Sequence, residues 1–129
     1  MSFVPNLIRG VALIAVLVGA AACSGGGAAA SASPPADATV SIDAQNMKFS
    51  SADLALPADT PSKVFFRNLD GQPHNIAIYK DSSATEKIFV GDTITNTATT
   101  YEVPAIPAGT YYFRCDVHPD MNGTLTVGG

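Results

Sequence analysis

Near its end the chain runs from Tyr111 to Gly123 as Tyr-Tyr-Phe-Arg-Cys-Asp-Val-His-Pro-Asp-Met-Asn-Gly, and few folds accommodate that run. Its first half alternates. Tyr111, Phe113 and Cys115 fall on one face of an extended strand, because side chains repeat with period two. This predicts Tyr111 and Phe113 in a core and Cys115 at the strand's buried end. The second half must turn before a return strand begins. Pro119 stiffens it and removes a backbone donor, and Gly123 lets the chain leave tightly. A compact turn can then aim His118 and Met121 at the same point as Cys115. A thiolate, an imidazole and a weak thioether, spaced Cys-x2-His-x2-Met, suit a single copper ion that carries electrons. His74 is the only other histidine in the sequence and supplies the second imidazole.

The remainder reads as strands. Val40 and Ile42 alternate with polar neighbours. From Lys63 to Asn68 the chain places Val64 and Phe66 on one face, Phe65 and Arg67 on the other. Asp70-Gly71 marks a turn. His74, Ile76 and Ile78 then share an inward face, opposite Asn75, Ala77 and Tyr79. Tyr101 and Val103 alternate in the next clear strand, Pro107-Ala108-Gly109 is a turn, and Leu125 and Val127 close the last strand. Period-two alternation punctuated by Gly and Pro predicts an all-β sandwich of about seven to eight strands. Between Asp81 and Asn96 the pattern is weakest, with a short strand at Lys87 to Val90 among loops. Met47 competes for the thioether position, but Asn46-Met47-Lys48-Phe49 reads more simply as core packing or an adjacent loop.

A length of 129 residues allows one domain. The 7 basic and 11 acidic residues leave a net charge of -4, which argues against nucleic acid as a partner. Residues 1–22 read as an export signal, with Arg9 before an apolar run from Val11 to Ala22. That run is shorter than the roughly 20 apolar residues of a membrane-spanning helix. The sequence Gly19-Ala20-Ala21-Ala22-Cys23-Ser24 resembles the lipobox of bacterial lipoproteins, which predicts lipidation of Cys23. Ala20 departs from that box, where Leu is usual; ordinary cleavage, with Cys23 free or removed, is the alternative. Residues 23–37, rich in Gly, Ala, Ser and Pro, read as the lipidated Cys and a flexible linker. Residues 38–129 form the folded domain. A disulfide between Cys23 and Cys115 would tie a flexible tail to a folded strand and is not expected.

Pro73-His74-Asn75 together with Cys115-x2-His118-x2-Met121 resembles the blue-copper cupredoxins of the plastocyanin and amicyanin kind. The ligand loop is as short as amicyanin's. The resemblance covers the whole folded domain, including Gly109 to Phe113 before the Cys. It implies a Greek-key β-sandwich with one type 1 copper per chain. His74 and His118 would bind through a ring nitrogen, Cys115 as thiolate and Met121 as the axial ligand. It implies that the Asn75 backbone donates toward the Cys115 sulfur, while its side chain ties the two ligand loops together. It also implies electron exit at the ring edge of His118, within an apolar patch to which Pro73 and Pro119 contribute.

The expected function is one-electron transfer between membrane or periplasmic redox partners, such as a cytochrome or a dehydrogenase. Acidic residues would steer a basic partner. An enzyme is not expected. A multicopper oxidase or nitrite reductase would need His-x-His pairs, and a two-copper centre would need a second Cys near Cys115; the sequence has neither. The alternative is an envelope copper-binding or copper-delivery lipoprotein, and a third reading is a metal-free sandwich. Met121 alone could be an ordinary hydrophobic loop residue. Tyr111, Tyr112 and Phe113 read as core rather than an electron path, and Asp116 and Asp120 as solvated charges near the site. The protein is expected as an exported monomer, lipid-anchored on the outer face of the cell membrane or in the periplasm.

Overall fold

The computed structural model describes residues 28–128. The export signal at 1–22, Cys23 and the start of the linker lie outside the described residues. Alternation along the chain does what period two requires, turning one face of each strand toward a partner sheet. The strands are β1 (Val40–Gln45), β2 (Lys48–Phe49), β3 (Asp53–Leu56), β4 (Ser62–Asn68), β5 (Ala77–Tyr79), β6 (Lys87–Val90), β7 (Ala98–Val103), β8 (Gly109–Arg114) and β9 (Asn122–Val127). One helical turn, α1 (Ala28–Ser31), precedes them. One sheet has the order β2-β1-β4-β7 and the other β3-β9-β8-β5-β6. Pairing is antiparallel except between β1 and β4 and between β3 and β9.

The nine strands among the described residues exceed the seven to eight expected, and both sheets match the predicted all-β sandwich. β2 has two residues, too few to alternate visibly. β3 offers only Leu54 and Leu56 as buried positions. Between the sheets lie Ile42, Val64, Phe66, Tyr101 and Val103 from one side and Leu54, Leu56, Ile78, Phe113, Leu125 and Val127 from the other. Phe66 stacks on Tyr101 with centroids 5.8 Å apart, and Phe49 bridges the layers, 6.3 Å from Phe66 and 5.4 Å from Phe113.

Three expectations change. Phe65 does point away from the core, yet it is buried at 5% exposure. α1 packs on β4, Ala29 is fully buried, and Arg67 donates through Nη1 to the Ala32 carbonyl at 3.2 Å. Residues 28–32, read from composition as flexible linker, therefore lie against the outer face of β4. Burying a Phe side chain contributes about 1.5–3 kcal/mol, whereas a partly exposed pair such as Arg67–Asp43 contributes about 1 kcal/mol or less. Tyr111 is only half-buried, because its hydroxyl reaches out to donate to the Pro107 carbonyl at 2.8 Å. Gly123 is required for closeness rather than for release from the turn. A Cβ there would sit 2.3 Å from the Ala52 carbonyl oxygen and 2.6 Å from the Phe113 ring. Among the described residues, no helix is long and apolar enough to cross a membrane.

Candidate metal centre

Two elements supply the site from opposite ends of the sequence. After β8 the chain passes Cys115 and makes the predicted turn. The Cys115 amide donates to the Met121 carbonyl at 2.9 Å, and the Met121 amide donates to the His118 carbonyl at 2.9 Å. These two bonds close the loop on itself. Asn122 adds side-chain donation to the carbonyls of Pro119, at 2.9 Å, and Asp120, at 3.2 Å. Cys115 has no exposure and Met121 has 3%, and both belong to the apolar cluster around Phe113. Val117 is exposed at 44%, and Pro119 is also exposed, on either side of half-buried His118.

His74 arrives just before β5. It pairs with Ile94 in an isolated antiparallel bridge, the backbone bonds measuring 3.0 and 2.9 Å. Its side chain is fully buried. His74 Nδ1 lies 3.7 Å from Cys115 Sγ and 3.1 Å from His118 Nδ1. The donor atoms of His74, Cys115 and His118 all lie within 4.8 Å of one another. Ligands held about 2.0–2.3 Å from one ion lie within about 4–4.6 Å of each other; the 3.7 Å and 3.1 Å separations from His74 fall inside that range, and closing the set onto one ion takes a shift of only a few tenths of an ångström. The fold brings together the three sharpest donors read from the sequence, with buried Met121 on the same loop. Met47 is instead exposed at 43% on the β1–β2 turn.

Asn75 links the two ligand segments. Its Oδ1 accepts from the Asp116 amide at 2.8 Å, and its Nδ2 donates to the Gly91 carbonyl at 2.9 Å. The residue after Cys115 is thereby fastened to the residue after His74. Asp116 is not a free solvated charge, as expected from sequence. It accepts from the Tyr79 hydroxyl at 2.6 Å and from Arg114 Nε at 2.9 Å, and the Arg114 guanidinium lies 4.9 Å over the Tyr79 ring. Burial, and then the Asp116 carboxylate, push the Tyr79 phenol above its ordinary value. Asp120 is exposed, as expected.

Sequence reasoning missed Asp70, reading it only as half of a turn. Its Oδ2 lies 3.0 Å from His74 Nε2. Burial alone would raise its carboxyl, but the amides of Met47 and Asn46 and the His74 ring together hold it below the ordinary carboxylate range. The available clue was a carboxylate four residues before a candidate ligand histidine, since ligating imidazoles commonly donate their other N–H to a carboxylate.

A β-sandwich that gathers one thiolate and two imidazoles at the buried end of a strand defines a mononuclear soft-metal protein. The sequence profile of the cupredoxin-like domain matches residues 11–127. Plastocyanin A/B of Petroselinum crispum is 32% identical over 98 residues, which span 71% of this chain and 99% of that protein. Amicyanin of Paracoccus versutus is 32% identical over 93 residues, spanning 72% of this chain and 67% of that one. The solved structure of Paracoccus versutus amicyanin superposes with a TM-score of 0.57 at 31% identity, covering 78% of this chain and 89% of amicyanin. Reduced auracyanin from Roseiflexus castenholzii shares the fold, with a TM-score of 0.62 at 22% identity, over 70% of this chain and 96% of auracyanin. The chain belongs to the cupredoxin family. Family and donor set together mark it as a copper electron-transfer protein rather than an enzyme.

Proposed function

We propose that this protein is an exported one-electron carrier with one type 1 copper, held by His74, Cys115 and His118, with Met121 as the axial ligand. The observation that carries the reading is the convergence of a buried cysteine sulfur and two imidazole nitrogens within 4.8 Å. When bound, copper supplies a reversible Cu(I)/Cu(II) couple, and a trigonal thiolate–imidazole set with a weak thioether is the blue-copper electron-transfer pattern. The protein's own contribution is to keep the donors still. Cys115 and His74 are fully buried, which excludes water, and Asn75 ties their segments. His118 is the one half-exposed donor, between exposed Val117 and Pro119. That edge is the proposed exit for electrons to a cytochrome or dehydrogenase. The net charge of -4 supports a basic partner surface. Asn75 is proposed to tune the centre, its backbone directed at the Cys115 sulfur in addition to the side-chain tie.

Delivery of the domain to the outer face of the cell membrane or the periplasm, through a lipid on Cys23 after removal of residues 1–22, belongs to the same proposal. So does function as a monomer. An optical and electron-spin-resonance spectrum of the copper-loaded protein tests the centre. The expected result is an intense blue thiolate-to-copper band from one copper per chain; its absence from oxidised, copper-loaded protein sinks the reading. Met121→Gln is expected to keep the blue band while changing the potential and the spin-resonance spectrum, because only the axial donor changes. Identical potentials and spectra would remove Met121 from the ligand set.

A further inference from the structure

The Asp70 carboxylate gathers three donors. The Asn46 amide reaches Oδ1 at 2.7 Å, the Met47 amide reaches Oδ2 at 3.0 Å, and His74 Nε2 lies 3.0 Å from the same Oδ2. Asp70 is itself fixed from behind. Its amide donates to Asn68 Oδ1 at 2.9 Å, and Asn68 Nδ2 donates to the carbonyls of Gln72 and Ile94, each at 2.8 Å. Ile94 is the residue whose backbone pairs with His74. The Asp70 side chain is 13% exposed and that of His74 is fully enclosed.

The two amides come from an unusual turn. Gln45 pairs with Lys48, so Asn46 and Met47 form a two-residue hairpin loop. Both have positive φ, 54° and 59°, as a type I′ turn requires. Gly is the usual second residue there, and Met47 bears the steric cost with its side chain exposed at 43%. A residue held in this region persists when its surroundings over-determine it. Two amides aimed at one partly buried carboxylate supply that determination.

We propose that Asp70 is a positioning residue for the copper centre, clamping His74 while the Asn46–Met47 turn clamps Asp70. The inference rests on the type 1 copper reading above. An ionised carboxylate only accepts hydrogen bonds, so His74 Nε2 carries the proton and Nδ1 presents its lone pair toward Cys115 and His118. A carboxylate behind a ligand imidazole also raises its basicity. The negative charge favours Cu(II) over Cu(I), so the clamp lowers the potential. A carboxylate that merely capped the turn would need the two amides and would leave the centre's electronic properties alone.

Asp70→Asn keeps the size of the side chain and removes the charge. The expected result is a protein that stays blue, with the ratio of Cu(II) to Cu(I) affinity lowered about tenfold, which for one electron raises the potential by about 59 mV. A blue Asp70→Asn protein with the parent's potential overturns the proposal. Glu102→Gln removes an equal charge from an exposed position outside the cluster and is expected to leave the potential in place; an equal shift there would also overturn it. A measurement on the unaltered protein covers the case where Asp70→Asn does not fold. Nitrogen NMR of the diamagnetic cuprous or metal-free form should show the His74 proton on Nε2, protected from exchange. A proton on Nδ1 in the metal-free form overturns the clamp. The parent's blue band reports separately on the electron-transfer reading, so the two failures are distinguishable.

Discussion

His74 is enclosed on all sides, bonded through its backbone to Ile94 and through its ring to Asp70. His118 lies 3.1 Å away, nitrogen to nitrogen, yet it is half-buried on a loop whose neighbours are exposed. The inner histidine is positioned by residues drawn from the β1–β2 turn, the loop after β4 and the segment before β7. The outer one is positioned by a loop closed on itself by two backbone hydrogen bonds and capped by Asn122. A donor set can therefore be half framework and half rim, with the framework fixing geometry and the rim meeting a partner.

The strongest test of this contrast removes each ring in turn. His118→Gly and His74→Gly should each abolish the blue band. Added imidazole should restore it almost fully in His118→Gly, where the vacated space opens to solvent, and little in His74→Gly, where the space is enclosed. Equal recovery in an imidazole titration followed by absorbance would erase the distinction between the two. A smaller effect separates the ties that hold each half. Asn75→Ala leaves the Asp116 amide and the Gly91 carbonyl without this partner and should destabilise the protein by about 1–3 kcal/mol. Asn122→Ala acts on exposed carbonyls and should cost only about 0.5 kcal/mol. Denaturant midpoints for the two variants check the order, and a reversed order would place the essential tie on the rim.

The smallest effect concerns Tyr101, whose hydroxyl donates to the Asp92 carbonyl at 2.5 Å. Burial, followed by the charge of Asp92, raises its phenol well above the ordinary 10.0. The folded state thus holds this proton more tightly than the unfolded chain. Its contribution is complete below pH 10 and is lost as pH rises through the folded value. Stability should decline above pH 10 in the parent, and Tyr101→Phe should flatten that part of the decline. Alkaline denaturation curves of identical slope would remove Tyr101 from the account.

The donors were legible because chemistry and periodicity pointed the same way. Tyr111, Phe113 and Cys115 had to share a face, and two histidines left little choice of partner for the thiol. Asp70 was not legible, because its value depends on a loop that folds back onto the β1–β2 turn and on Asn68 holding that loop. β3 was hidden by its length, since four residues show only one repeat of alternation. The contact of α1 with β4 was hidden for another reason. A stretch of Ala, Ser and Pro cannot build a core, but α1 lies on β4 with Ala29 fully buried, and composition read segment by segment does not reveal what another strand offers.

The buried position of Ala29 has a geometric consequence for how the domain is moored. If Cys23 carries a lipid, six residue steps separate that lipid from Ala29. At roughly 3.3–3.6 Å per residue, those steps span at most about 20 Å. Such a mooring would hold the domain close to the bilayer. It would confine the search for a partner to a thin layer above the membrane, and electron delivery would then be a two-dimensional encounter rather than free diffusion through the surrounding volume.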